Sequence, residues 1–265
     1  MEGDTPLMIA PIFVSHGSPT LIFDDVPARD FLMQLGRAHP RPKAILVASA
    51  HWETPAPRIT ASPAPPTIHD FGGFPDVMYQ QQYPAPGDPA LAARIKALLD
   101  GAGLSATLDP GRGLDHGAWV PLKLAWPEAG IPVLQLSLQT HLGPAHHLKL
   151  GEALRPLAEE GVLILGSGSL THDLRSVSWR GPNEEPEWVR SFGDWVNKAL
   201  TEGRVDDLVN YRGLAPNAAR NHPTEEHFLP LFVALGAAGA GAGMELLHSS
   251  ITFSVLRMDA FAFAA

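Results

Sequence analysis

The stretch "ILVASAHWET", residues 45–54, is an apolar run that ends on an imidazole followed at once by an indole. A short apolar run rich in branched residues reads as a buried strand. Such strands usually give way to turn residues, so a histidine at that point suggests a site at the strand's end. Two other runs repeat the arrangement. "APIFVSHGSPT", residues 10–20, passes from Ile12–Val14 to His16, and "VLILGSGSLTH", residues 162–172, ends on His172.

Further strand-like runs are Val133–Leu138 and, more weakly, Leu104–Leu108, and the tail from Met244 onward has strand character again. Between the strands lie helical patterns at Pro27–Arg37, Pro89–Leu99, Gly143–Glu160 and Glu184–Leu200; the last carries Trp188, Phe192, Trp195 and Val196 on one stripe. Strands alternating with helices predict an α/β fold, with a central mostly parallel or mixed sheet flanked by helices on both faces. No composition shift marks a boundary, so one catalytic domain over residues 1–265 is expected. Ligands in such sheets bind beyond the carboxyl ends of the strands, where His16 and His51 fall.

Residues 54–89 hold many prolines and little periodicity, yet contain Phe71, Phe74, Tyr79 and Tyr83. An ordered loop over a site fits that composition better than a linker. "GAAGAGAGM", residues 236–244, reads as a turn or surface connection. In "NHPTEEHFLPLFVALG" a helix is expected from about Glu226, because Pro230 is tolerated only in a first turn. His227, Leu231 and Leu235 would then share one face.

The net charge of -9 argues against nucleic acid and anionic membranes, which call for a basic face. No apolar window is long enough to span a bilayer, and "MEGDTPLMIAPIF" lacks the basic start of a signal peptide, so a cytoplasmic protein is expected. No long exposed apolar stripe stands out, which favours a monomer. With no cysteine, a metal would have only histidine and carboxylate ligands, and the chain has 12 histidines. His39, His141, His146, His147 and His248 sit in polar, surface-like contexts. His16, His51, His69, His116, His172, His222 and His227 lie beside glycine, tryptophan, proline or strand ends. Taken singly, each is more often a satisfied core or loop residue than a ligand. The pattern is what carries weight, because three strand ends sharing one sheet edge would bring their imidazoles together. Neutral imidazoles leave a bound ion its full charge, which favours an anionic substrate and lowers the pKa of a coordinated hydroxyl.

Seven ordered motifs, "FVSHGSPT", "ASAHW", "PPTIHDFGGFP", "YPAPGDPALA", "GLDHGAWVPL", "GSGSLTHDLR" and "HPTEEHFLPLFVALGAAG", resemble the class III extradiol ring-cleavage dioxygenases of the LigB type, closest to the DOPA 4,5-dioxygenase branch. The resemblance implies His16, His51 and His227 as metal ligands, His172 as the acid–base residue, and His116 and His69 in the substrate pocket. Trp52 and the aromatic loop are expected to stack on the substrate ring. His222 is the weaker candidate for the third ligand, and Glu226 is a minor contender because a related branch uses glutamate. Asp173 and Ser169 stand where asparagines are common, and Asp173 is expected to raise the pKa of His172. The implied reaction is cleavage of a catechol by O2 to a muconic semialdehyde, with Fe(2+) for activity and Zn(2+) able to occupy the same site.

Two other functions compete. A zinc hydrolase with a metal-bound hydroxide suits the ligand set, but no "HExxH" is present. "GSGSL", residues 166–170, has Gly168 where a nucleophile elbow needs serine. The third possibility is a non-catalytic binding protein on the same scaffold.

Overall fold

The sheet grows from the runs read as strands, and its register decides where the histidines emerge. The computed structural model describes residues 9–179 and 183–264; the leader reading of residues 1–8 lies outside them. Strands β1 (Ile12–Ser15), β2 (Ala44–Glu53), β3 (Arg58–Thr60), β4 (Thr107–Asp109), β5 (Val133–Leu138), β6 (Val162–Gly168), β7 (Gly243–His248) and β10 (Ala260–Ala264) form one sheet. Its order is β4-β3-β5-β2-β6-β1-β10-β7, and β8 (Ile251–Thr252) pairs separately with β9 (Leu256–Arg257). The central β5-β2-β6-β1 block is parallel, while β3/β5, β1/β10 and β10/β7 are antiparallel. The sheet is therefore mixed, in a single α/β domain.

Both faces of the central strands are apolar, and side chains alternate between them. Ile12, Val14, Ile45 and Val47 face one core with Leu32, Leu35 and Trp119. Phe13, Leu46 and Ala48 face the other, covered by helices Pro89–Gly101, Gly143–Glu159, Glu187–Thr201 and Leu229–Ala238. In Glu187–Thr201, Phe192 and Val196 are buried. Its Trp188 and Trp195 flank that stripe, under the guanidinium groups of Arg220 and Arg204.

The register sets Ser15 opposite Gly168 and Ser49 opposite Ser167, so β1, β2 and β6 end at one edge. The strand β2 runs on past Ala50 through His51 to Glu53, and it bulges. Ala48 pairs with Leu136 but Glu53 pairs with Leu138, leaving extra residues on β2 around His51. A bulge of this kind re-aims side chains beside a site. The Leu104–Leu108 expectation resolves into the short strand β4.

The helix expected from Glu226 begins instead at Leu229, with Pro230 in its first turn, so His227 lies in the preceding turn rather than on the helix. The same helix continues through Ala238, which leaves only residues 239–242 of the glycine-rich stretch as connection before β7. Close packing explains the glycines opposite it. A Cβ at Gly168 would meet the His227 carbonyl oxygen at 2.1 Å, and one at Gly166 would meet that of Pro230 at 2.2 Å. The bare backbone of β6 is what lets the His227 turn sit on the sheet edge. No helix among the described residues is long and apolar enough to cross a membrane.

Candidate metal centre

His16 follows β1 directly and is almost wholly buried. Its Nδ1 lies 3.0 Å from Ser167 Oγ, and that hydroxyl donates its only proton to the Gly117 carbonyl. Ser167 must therefore accept from His16 Nδ1–H, which leaves His16 Nε2 as a lone pair. That nitrogen stands 3.0 Å from Nε2 of His51. His51 turns its other nitrogen toward Asp70, at 3.5 Å from Oδ2.

Asp70 also fixes His116. Its Oδ1 accepts from the His116 backbone N–H at 2.8 Å and its Oδ2 lies 2.9 Å from His116 Nδ1. Behind them is Asp115, which caps helix His116–Ala125 by accepting from Ala118 N–H. Asp115 is fully buried, yet it is well satisfied by Ser49 Oγ at 2.6 Å, Gln135 Nε2 at 2.7 Å and Arg112 at 3.2 Å. Charge-assisted bonds of this number hold the strand end and the helix start together.

On the other side, His227 and His172 stack face to face, with ring centroids 3.4 Å apart and planes 13° apart. His227 Nδ1 lies 3.2 Å from Glu226 Oε1, and Ser169 N–H donates to the His227 carbonyl at 2.9 Å. His172 is placed by its backbone N–H, which donates to Asn221 O at 2.8 Å. The rings of His16, His51 and His227 lie 4.9–5.4 Å apart pairwise. By donor atoms, two groups close to within 4.8 Å: His16, His51 and His116, and separately His172, Glu226 and His227. His116 thus sits nearer the first two histidines than the sequence led us to expect.

The electrostatics favour a cation. Burial, then the neighbouring imidazoles, depresses His51 to about 3 and His172 to about 4, and drives His16 and His227 well below the ordinary histidine value. Asp173 does push His172 upward, as expected, but burial and the other histidines outweigh it. Burial pulls Asp70 upward, but its bonds from His116 hold it down at about 2. His16, His51, His172 and His227 are therefore neutral imidazoles at neutral pH, beside the Asp70 carboxylate. His51 Nε2–H donates to the His16 lone pair when that nitrogen carries the proton, and in the other His51 tautomer both nitrogens offer lone pairs to a cation. Two nitrogens each about 2.1 Å from one ion, at right angles, stand about 3.0 Å apart, so His16 and His51 fit a shared metal.

A cavity of about 360 Å³ opens above, reached by His16, His51, His116, His172 and His227 and walled by Phe71 and Phe74. Three sequence candidates lie outside that lining. Trp52, next to His51 on a strand whose successive side chains face opposite ways, is buried with Arg112 over its ring at 5.3 Å and is not part of the lining. His69 is a layer back, its Nε2 2.9 Å from Gln81 O and its ring 5.8 Å from that of Phe71. His222 is fully buried, donating from Nε2 to Leu170 O at 2.8 Å among Phe192, Tyr211 and Phe228. His222 thus lies apart from the cavity that His227 reaches. His147, read as surface-like, is fully buried: it donates from Nδ1 to Gly143 O and accepts from Gln139 N–H at Nε2.

Residue patterns did not single out Asp70, Ser167 or Asp115 as supports. Asp70 carried one signal, a carboxylate directly after His69 in "TIHDFGG". Ser167 and Asp115 carried none, because their roles arise from partners 151 and 66 residues away.

A parallel-centred sheet whose edge gathers neutral histidines around an apolar cavity defines a metal-dependent enzyme acting on small molecules. The family described as the catalytic LigB subunit of aromatic ring-opening dioxygenase matches residues 11–263, and the chain belongs to it. It is 47% identical over 257 residues to the 4,5-DOPA dioxygenase extradiol of Beta vulgaris, covering 96% of each chain. It is 44% identical to the protein of that name from Escherichia coli K12, covering 85% of this chain and 84% of the other. A crystal structure titled an uncharacterized protein from E. coli K12 superposes with a TM-score of 0.82 at 36% identity, covering 96% and 99%. The class is that of the extradiol ring-cleavage dioxygenases, and the hydrolase and binding-protein readings give way to it. This family is metal-dependent, and a three-histidine group suited to a metal is present.

Proposed function

We propose that residues 1–265 act as one catalytic unit that opens the ring of a catechol, DOPA-like or a related diol, with O2 to a muconic semialdehyde. The observation that carries this is the facing pair of imidazole nitrogens, His16 Nε2 and His51 Nε2, at 3.0 Å beneath an aromatic-walled cavity. In this reading His16, His51 and His227 hold iron(II), a site zinc also fits, since both accept imidazole. Iron(II) held there would supply open coordination positions and redox chemistry with O2.

The protein's own residues do the rest. His172, neutral at pH 7, accepts a proton from the catechol hydroxyl and later returns it to the leaving oxygen. Its stacking on His227 keeps it within reach of the metal site without making it a ligand. His116, braced by Asp70, presents its Nε2 edge to the substrate. Phe71 lies across the cavity 5.7 Å from His116 and excludes water. The acidic, cysteine-free composition supports a cytoplasmic enzyme.

The test is anaerobic reconstitution with iron(II) or zinc(II), followed by air and catechol. A yellow semialdehyde band with iron and none with zinc is the expected result; ring opening with neither metal removes the reading.

A further inference from the structure

Of the bulky apolar side chains that the fold leaves exposed, two sit on the rim of the catalytic cavity: Leu174 at 55% and Trp179 at 60% exposure. Exposing such residues side by side is unfavourable unless something covers them, and contiguous apolar rims mark ligand grooves. Both belong to the segment that follows His172, so the acid–base histidine and the rim share one stretch of chain. Trp179 is held in place by Phe253, whose ring lies 4.6 Å away. Phe71 and Phe74, from the proline-rich loop, and the buried Leu256 extend the same apolar surface inward.

The cavity is also larger than the diol needs. A void of about 150 Å³ accommodates benzene, and this one measures about 360 Å³. With the two hydroxyls at the histidines, the ring's substituent must point to the rim. Among the described residues lining the cavity, the ionisable side chains are all histidines, grouped at its floor.

We propose that Leu174 and Trp179 are specificity-determining residues that take up an uncharged apolar substituent, alkyl or aryl, on the catechol ring. The proposal rests on catechol binding at the histidine cluster, as put forward above. It makes 4-alkylcatechols better substrates than catechol itself and better than DOPA, whose side chain carries a zwitterion.

The experiment compares catechol, 4-propylcatechol and DOPA with the iron-loaded enzyme, together with anaerobic titration calorimetry of each on the zinc-loaded protein. Burying a three-carbon chain at a partly open rim is expected to raise kcat/KM roughly tenfold over catechol, mainly through KM. The ratio of 4-propylcatechol to catechol should collapse toward one in Trp179→Ala and be kept in Trp179→Phe. Because Trp179 is mostly exposed, neither change disturbs the core. A wild-type ratio near one, a ratio unmoved in Trp179→Ala, or DOPA matching 4-propylcatechol overturns the proposal. If no catechol is opened, the ring-cleavage reading fails, and the calorimetric ratio alone decides the rim: tighter 4-propylcatechol binding supports it, equal binding overturns it.

Discussion

The Nε2 atoms of His16 and His51 face each other at 3.0 Å although the residues are 35 positions apart in the chain. Each ring's other nitrogen is turned away, to Ser167 in one case and toward Asp70 in the other. The pair brings two imidazole nitrogens to one point in space. Removing either ring should remove the metal, so His16→Ala is expected to lose bound metal and ring-opening activity together. Metal content by atomic spectrometry after reconstitution checks this; full metal occupancy would exclude His16 as a ligand.

His172 predicts the opposite separation. It stacks on His227 but is proposed to move protons rather than bind the ion. His172→Ala should keep its metal while kcat falls by about 10²–10⁴, the usual contribution of a positioned acid–base group. Loss of metal in this variant would reassign His172 as a ligand.

Asp70 reaches both His51 and His116, and a carboxylate behind a ligating histidine sets its tautomer and basicity. Asp70→Asn retains the shape but not the charge. It is expected to weaken metal binding by about 10–100-fold, measured by chelator competition. Unchanged affinity would show that Asp70 supports only the fold.

Gly168 is the point where the His227 turn touches β6, with no room for a methyl group. Gly168→Ala should destabilise the protein by about 1–3 kcal/mol, as overpacking does, and displace His227 from the site. Urea unfolding together with metal titration tests both effects. A variant with wild-type stability and affinity would mean that the turn can move away freely.

His147 gives a pH prediction independent of the metal. Burial holds it at about 4, below the ordinary 6.5, while it bonds Gly143 O and Gln139 N–H as a neutral ring. The unfolded chain therefore binds a proton that the folded chain refuses. This contribution is complete above pH 6.5 and is lost as pH falls toward 4, by about 1.4 kcal/mol per pH unit. In urea titrations of the zinc-loaded protein at pH 7 and pH 5, His147→Gln should show a shallower loss than wild type.

Composition, hydropathy and spacing determined much of this protein. Apolar runs at Ile12–Val14, Ala44–Ala50 and Val162–Leu165, separated by helical patterns, are enough to require a parallel-centred sheet, because only stacked layers on both faces bury them. Histidines at the ends of those runs then have to emerge at one edge, which made His16, His51 and His172 readable from the chain alone. What spacing could not reveal depends on contacts between distant segments. The bulge that aims His51 inward, the hydroxyl of Ser167 that orients His16, and the carboxylate of Asp70 that braces two rings are set by packing. Likewise, the burial of Trp52 and His147, and of His222 away from the cavity, follows from which face meets a neighbour. A residue's type states what it is able to do; its desolvation and its partner, decided only when the layers close, fix which of those things it does.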